Sequence, residues 1–151
     1  MARFSSEQAA ARAAIEQVIN EWGDELDIND GLKMREAAVL TDEVEYFVGG
    51  EWRSGIDAVC AFYAERRARL QAGDGAPVMR HIISNFRIAF TGEASADVGF
   101  LLLFFAKVGE PPFADYCDPL AVADVRMSVR ADADGDWRIS RFDSGQIFRR
   151  G

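Results

Sequence analysis

The second half of the chain holds four long runs of β-branched, aromatic and aliphatic residues, at about 78–91, 95–108, 119–131 and 136–149. The turn sequences TGEAS and DADGD divide them. GEPPFADYCDP (109–119) forms a longer connection, and its prolines exclude central strand pairing. These lengths constrain the fold more than any other feature. A strand of thirteen residues extends about 43 Å at ~3.3 Å per residue. That exceeds the width of one small domain, so the sheet is expected to curve strongly. A curved sheet closed by helices makes a cone with an internal cavity.

The first half supplies the helices. Ser5 and Gln8 make an S-x-x-Q capping box, and Ile15, Val18, Ile19, Trp22 and Leu26 follow at helical spacing. This predicts a helix over 5–28. DINDG ends it, with Gly31 available for a positive φ. A second short helix is expected from Leu32 to Leu40, a strand over 43–49, a loop at GGEWRSG, and a third helix from about Ile56 to Leu70. Helices first and strands after give an α+β fold, with the helices on one face of an antiparallel sheet. The whole chain, 1–151, reads as one domain.

The formal net charge is −8. An acidic surface repels phosphate, which argues against nucleic acid or anionic membrane as a partner. The longest apolar run, FLLLFFA from Phe100, is too short to span a bilayer, and MARFSSEQ lacks a signal-peptide apolar region. One histidine with Cys60 and Cys117 makes no metal-ligand pattern. A reducing cytoplasm is the expected compartment.

The only histidine, His81, lies within VMRHIISNFRIAF, where strands normally bury hydrocarbon. Alternation places His81, Ile83, Asn85 and Arg87 on one face. Asp27 follows Leu26 at the end of the first helix, where the macrodipole disfavours a carboxylate unless a donor faces it. Tyr46 stands between Val44 and Val48 on a strand face. Asp124 alternates with apolar residues in LAVADVRMSV, so its face is either solvated or lines a cavity. Trp22, Phe104, Phe105 and Phe113 are candidate walls of an apolar pocket. Each residue alone has a plainer reading. His81 could be a hydrogen-bonded core residue, Asp27 a turn aspartate, Tyr46 a rim tyrosine, Asp124 half of a surface pair and the aromatics simple core.

Together the segments resemble the SnoaL-like branch of the nuclear-transport-factor-type cone fold, which holds polyketide cyclases, scytalone dehydratase and ketosteroid isomerase. The resemblance runs through Leu26–Asp27, LTDEVEY (40–46), WRSGIDAVCAFY, RHIISNFRI and DGDWRISRF. It implies three N-terminal helices on a mixed, mostly antiparallel sheet with an internal pocket. It also implies that Asp27 and His81 form an acid/base dyad and that Tyr46 is an active-site tyrosine. Trp22, Asn85, Phe104, Phe105, Phe113 and Asp124 would then contact the substrate. The dehydratase carries a second pocket histidine on the next strand, where this chain has LLLFFAK. The ligand implied is a small apolar molecule.

A neutral imidazole is a suitable base near neutral pH, and a carboxylate fixes its tautomer. Such a site removes a proton beside a carbonyl, then expels a leaving group or returns the proton elsewhere. The implied class is a lyase or isomerase needing no metal or organic cofactor. The resemblance also implies a homodimer or homotrimer through the outer face of the sheet. RHIISNFRI and GDWRISRF resemble, in addition, the non-catalytic β subunit of aromatic-ring-hydroxylating dioxygenases. A small-ligand binding module is a third possibility.

Overall fold

A computed structural model describes residues 2–151. Helix α1 spans Ser6–Asn29, strand β1 Leu40–Val48, β2 Glu51–Ser54, helix α2 Ile56–Ala72, and strands β3 to β6 cover Val78–Gly92, Ser95–Lys107, Ala121–Ala131 and Trp137–Arg149. The fold is α+β, as expected. One sheet of six strands runs in the order β2-β1-β6-β5-β4-β3. β1 pairs in parallel with β6, and the other pairs are antiparallel. The sheet is therefore mixed and mostly antiparallel.

Helix α1 begins where its capping box says it should. The Ser5 side chain accepts from the Gln8 backbone, and the Gln8 side chain accepts from the Ser5 backbone. Its stripe of Ile15, Val18, Ile19, Trp22 and Leu26 is buried and meets Val98, Phe100, Val125, Met127 and Ile139 from the sheet in one apolar cluster. Gly23 allows the helix to lie close to β3, because a Cβ there would stand 2.9 Å from Ile83 Cδ1.

Among the described residues two helices form, not three. Residues 30–38 fold as successive turns. Leu32, Met34 and Ala38 donate backbone hydrogen bonds three residues back. The Lys33 N–H donates to the buried Glu25 carboxylate at 2.6 Å. Asp30, Gly31 and Ala38 all have positive φ, which no helix sustains. Met34 and Val39 are fully buried, so these turns are anchored by packing without a helical ladder.

Gly31 is required twice over. Its φ is +77°, and a Cβ would stand 2.6 Å from Tyr63 Cγ. Gly31→Ala should destabilise the fold by about 1–3 kcal/mol and displace the Tyr63 ring. A urea midpoint equal to that of the unsubstituted protein would contradict this.

The expected loop at GGEWRSG is instead a two-residue hairpin. Gly49 and Gly50 both have positive φ and place Val48 opposite Glu51. Register shifts interrupt the ladders at 84/87, 90/92, 122/123 and 128/129. Bulges of this kind bend long strands, and α1 lies against β3 on the inner face.

The bulge in β3 corrects the alternation expected from sequence. Asn85 adopts φ +60° between the paired residues Ser84 and Arg87. Before it, His81 and Ile83 face inward. After it, Phe86, Ile88 and Phe90 do, packed against the core. One extra residue changes the parity of the strand, which explains why its apolar residues divide between both sequence faces.

Candidate active site

The inner face of the sheet, α1, α2 and the β1–β2 hairpin enclose a cavity of about 570 Å³. Trp22 and Leu26 come from α1, Phe62, Tyr63 and Arg66 from α2, and His81, Phe104, Ala121, Ala123 and Val125 from the sheet. The alanines leave open space beside the aromatic walls.

His81 lies on β3, the edge strand of the sheet. Its backbone N–H points away from β4 and donates to both carboxylate oxygens of Asp27, at 3.1 and 3.0 Å. Its ring Nδ1 lies 2.6 Å from Asp27 Oδ1. Both side chains are mostly buried, about 11% and 10% exposed. Asp27 thus closes part of an open sheet edge and holds the ring with the same group. The donors of His81 also offset the unfavourable position of a carboxylate at the negative end of α1. A carboxylate oxygen accepts, so in the neutral ring the hydrogen sits on Nδ1 and the lone pair on Nε2. The imidazole packs on Phe104, its cross-strand partner, with centroids 4.7 Å apart.

Behind this pair runs a second polar chain. Trp22 Nε1 donates to Tyr46 Oη at 2.9 Å, and Tyr46 Oη lies 2.7 Å from Tyr63 Oη. Tyr46 is fully buried. If it only accepted, its own O–H would be stranded in apolar surroundings, at a cost of about 1–3 kcal/mol. Tyr46 therefore donates to Tyr63, whose O–H is left free at the cavity wall. Burial raises the Tyr46 phenol well above its usual range, and the adjacent Tyr63 adds to this. Burial pushes Tyr63 up to about 12, against the hydrogen bond from Tyr46 and the charge of Arg66, which pull it down.

Raised phenol pKa values have a stability consequence. The unfolded chain releases these protons near pH 10, while folded Tyr63 holds its proton to about 12. Stability is fully present below pH 10 and falls as pH rises from there, by on the order of 3 kcal/mol through Tyr63 once pH reaches its folded pKa. Tyr63→Phe should flatten this alkaline loss. Urea titrations at pH 8, 10 and 11.5 on both proteins check it, and equal slopes with pH would count against it.

Not every residue expected at the site gathers there. Trp22, His81 and Phe104 line the cavity, and Asp27 and Tyr46 stand directly behind its wall. Asn85 is exposed on its bulge and does not line the cavity. Asp124 is exposed on the outer face, because Ala123 and Val125 on either side turn inward. Phe105 pairs with Arg80 on that same outer face. Phe113 packs beside Gly109, under Lys107. Sequence reasoning missed Tyr63, Arg66, Ser144, Gln146 and Arg149 in the lining. Arg149 was not legible, since alternation from Phe142, Ser144 and Gln146 would turn Phe148 inward, and a bulge at Ile147 shifts the parity.

Among the described residues, no three His, Cys, Asp or Glu side chains gather as metal ligands would. Among the same residues, no helix is long and apolar enough to cross a membrane.

Known structures share this architecture. A Catenulispora acidiphila protein in complex with S-DNPA is 20% identical, with a TM-score of 0.72 over 92% of this chain and 95% of its own. The hexachlorocyclohexane dehydrochlorinase LinA-type3 of Novosphingobium barchaimii is 16% identical, with a TM-score of 0.75 over 95% of this chain and 91% of its own. An NTF2-like protein with a cystatin-like fold from Novosphingobium aromaticivorans is 20% identical, with a TM-score of 0.70 over 97% and 92%. No protein of curated function is significantly similar in sequence. Residues 7–143 match the SnoaL-like domain, and this chain belongs to that family.

Proposed function

We propose that this protein is a cofactor-independent lyase or isomerase acting on a small cyclic carbonyl compound. The observation that carries the reading is the Asp27–His81 pair, 2.6 Å apart at the wall of a largely apolar cavity. His81 Nε2 takes a proton from the carbon beside the carbonyl. Asp27 stabilises the imidazolium that forms and fixes its orientation. The electron pair left on carbon moves onto the carbonyl oxygen, which accepts a hydrogen bond from Tyr63. The enolate then expels a β-hydroxyl, which leaves as water with the proton returned by the His81 imidazolium, or takes that proton back at another carbon. Tyr46 and Trp22 orient the Tyr63 hydroxyl from behind. The dehydrochlorinase neighbour, whose reaction also removes a proton and a leaving group, supports the class of chemistry. The complex of the Catenulispora acidiphila neighbour with S-DNPA supports binding of a small molecule. The test is turnover of a panel of cyclic β-hydroxy ketones by the purified chain alone. Ligand affinity without turnover would favour a binding module, and activity only with an iron-containing partner subunit would favour the dioxygenase-partner reading.

The protein is also proposed to self-associate through the outer face of its sheet. Ile82, Leu103, Val122 and Phe148 form one cross-strand row there. Ile82 and Phe148 are 49% and 68% exposed. A continuous apolar row open to water favours burial against a second copy. Sedimentation at micromolar concentration should give a dimer or trimer, and Leu103→Glu should give a monomer. A monomer before substitution would sink this proposal.

A further inference from the structure

The cavity is apolar along most of its wall, yet two arginines line it, Arg66 half-buried and Arg149 exposed to solvent. Arg66 comes from α2 and Arg149 from the end of β6. Neither forms an ion pair among the described residues. Arg66 donates only to Met79 Sδ, at 3.3 Å, a weak acceptor. Arginine is the residue best suited to grip a planar carboxylate, through a fork of parallel N–H donors.

The sheet register fixes where these cations stand relative to the base. His81 pairs with Phe104, Phe104 with Ala121, and Ala121 with Arg149. The four residues form one cross-strand row on the inner face. Three strand spacings separate His81 from Arg149, about 14 Å between Cα atoms at ~4.8 Å per spacing. Between them lie an aromatic ring and a methyl group. That surface fits a flat ring laid on Phe104 and over Ala121, with its reactive carbon at Nε2 and an acidic substituent at the far end. Arg66 converges from the helix side, close enough for its charge to act on Tyr63. A protein of net charge −8 repels anions at long range. Two arginines without an ion-pair partner along the cavity lining therefore set a local preference that the surface as a whole opposes.

From this arrangement we infer that the ligand is a ring compound bearing a carboxylate, held by Arg149 and Arg66 at the end of the cavity away from His81. This rests on the acid/base reading only for the orientation of the ring, since binding of the carboxylate does not require turnover.

Calorimetric titration of naphthalene-2-carboxylate and of 2-naphthamide, which have the same shape and differ in charge, tests it. The acid should bind at least roughly tenfold tighter than the amide, since charge-assisted fork contacts exceed neutral ones. Arg149→Gln and Arg66→Gln should each narrow that gap. The double variant should erase it by weakening acid binding much more than amide binding. His81→Ala should keep it. Equal binding of acid and amide, a preference that survives in the double variant, or binding of neither probe at millimolar concentration would overturn the inference. If His81→Ala keeps the preference but wild type shows no proton abstraction, the catalytic reading fails and the carboxylate site stands.

Discussion

Replacing His81 with alanine is expected to lower turnover by about 10²–10⁴-fold, the usual worth of general base catalysis, and to leave the fold intact. The fold should survive because Asp27 holds the strand through the backbone N–H at position 81, at 3.1 and 3.0 Å, as well as through the ring. Alanine keeps that N–H. What disappears is the imidazole and its contact with Phe104. Residue 81 lines the cavity, so ligand can fill part of the space left. A melting curve and a turnover assay on the same preparation separate the two effects. A large drop in thermal stability with unchanged turnover per folded molecule would make His81 a core residue and remove the proposed base.

The second large effect is expected at Asp27→Asn, on the order of 10²-fold and smaller than that of His81→Ala. The reason lies in the number of donors Asp27 satisfies. Its carboxylate accepts from both the backbone N–H and the ring Nδ1 of His81. An asparagine has one carbonyl oxygen for these two donors. If that oxygen takes the backbone N–H, the amide NH₂ faces Nδ1 and donates to it. The ring hydrogen then moves to Nε2, and the lone pair that should accept the substrate proton is lost. His81 is the only histidine in the chain, so ¹⁵N spectra of the imidazole report its tautomer without ambiguity. The unsubstituted protein should show Nδ1–H and the Asn variant a shift toward Nε2–H. A lower melting temperature with an unchanged tautomer and full activity would reduce Asp27 to a strand clip.

The capping box, the Ile15–Leu26 stripe and the turn sequences between the last strands were legible because each is a local pattern with a local cause. The alternation of Ala121, Ala123, Val125, Met127 and Val129 was legible too, and read simply it already places Asp124 in solvent. The residues at 32–40 have helical composition, but Glu25, from another segment, takes the Lys33 N–H and the chain closes in turns. Asn85 was misplaced because a bulge depends on the strand paired beside it, and no single strand's composition reveals that. The parity of β3 on either side of the bulge follows from the same cause. Tyr63, Arg66 and Arg149 come from separate elements, and only the packing of α2 over the sheet brings them to one cavity. Asp27 and His81 are 54 positions apart, and resemblance to the family, more than spacing, joined them.

The proposed chemistry turns on one step, in which His81, oriented by Asp27, removes a proton beside a carbonyl. Proton exchange measures that step whatever leaving group the true substrate carries. The purified protein would be incubated in D₂O with a panel of cyclic ketones, with and without a ring carboxylate, and loss of the α-proton signal followed by NMR. Exchange should be faster than in buffer for at least one ketone, and reduced at least roughly a hundredfold in a folded His81→Ala protein. Exchange that proceeds equally in the folded His81→Ala variant would contradict it.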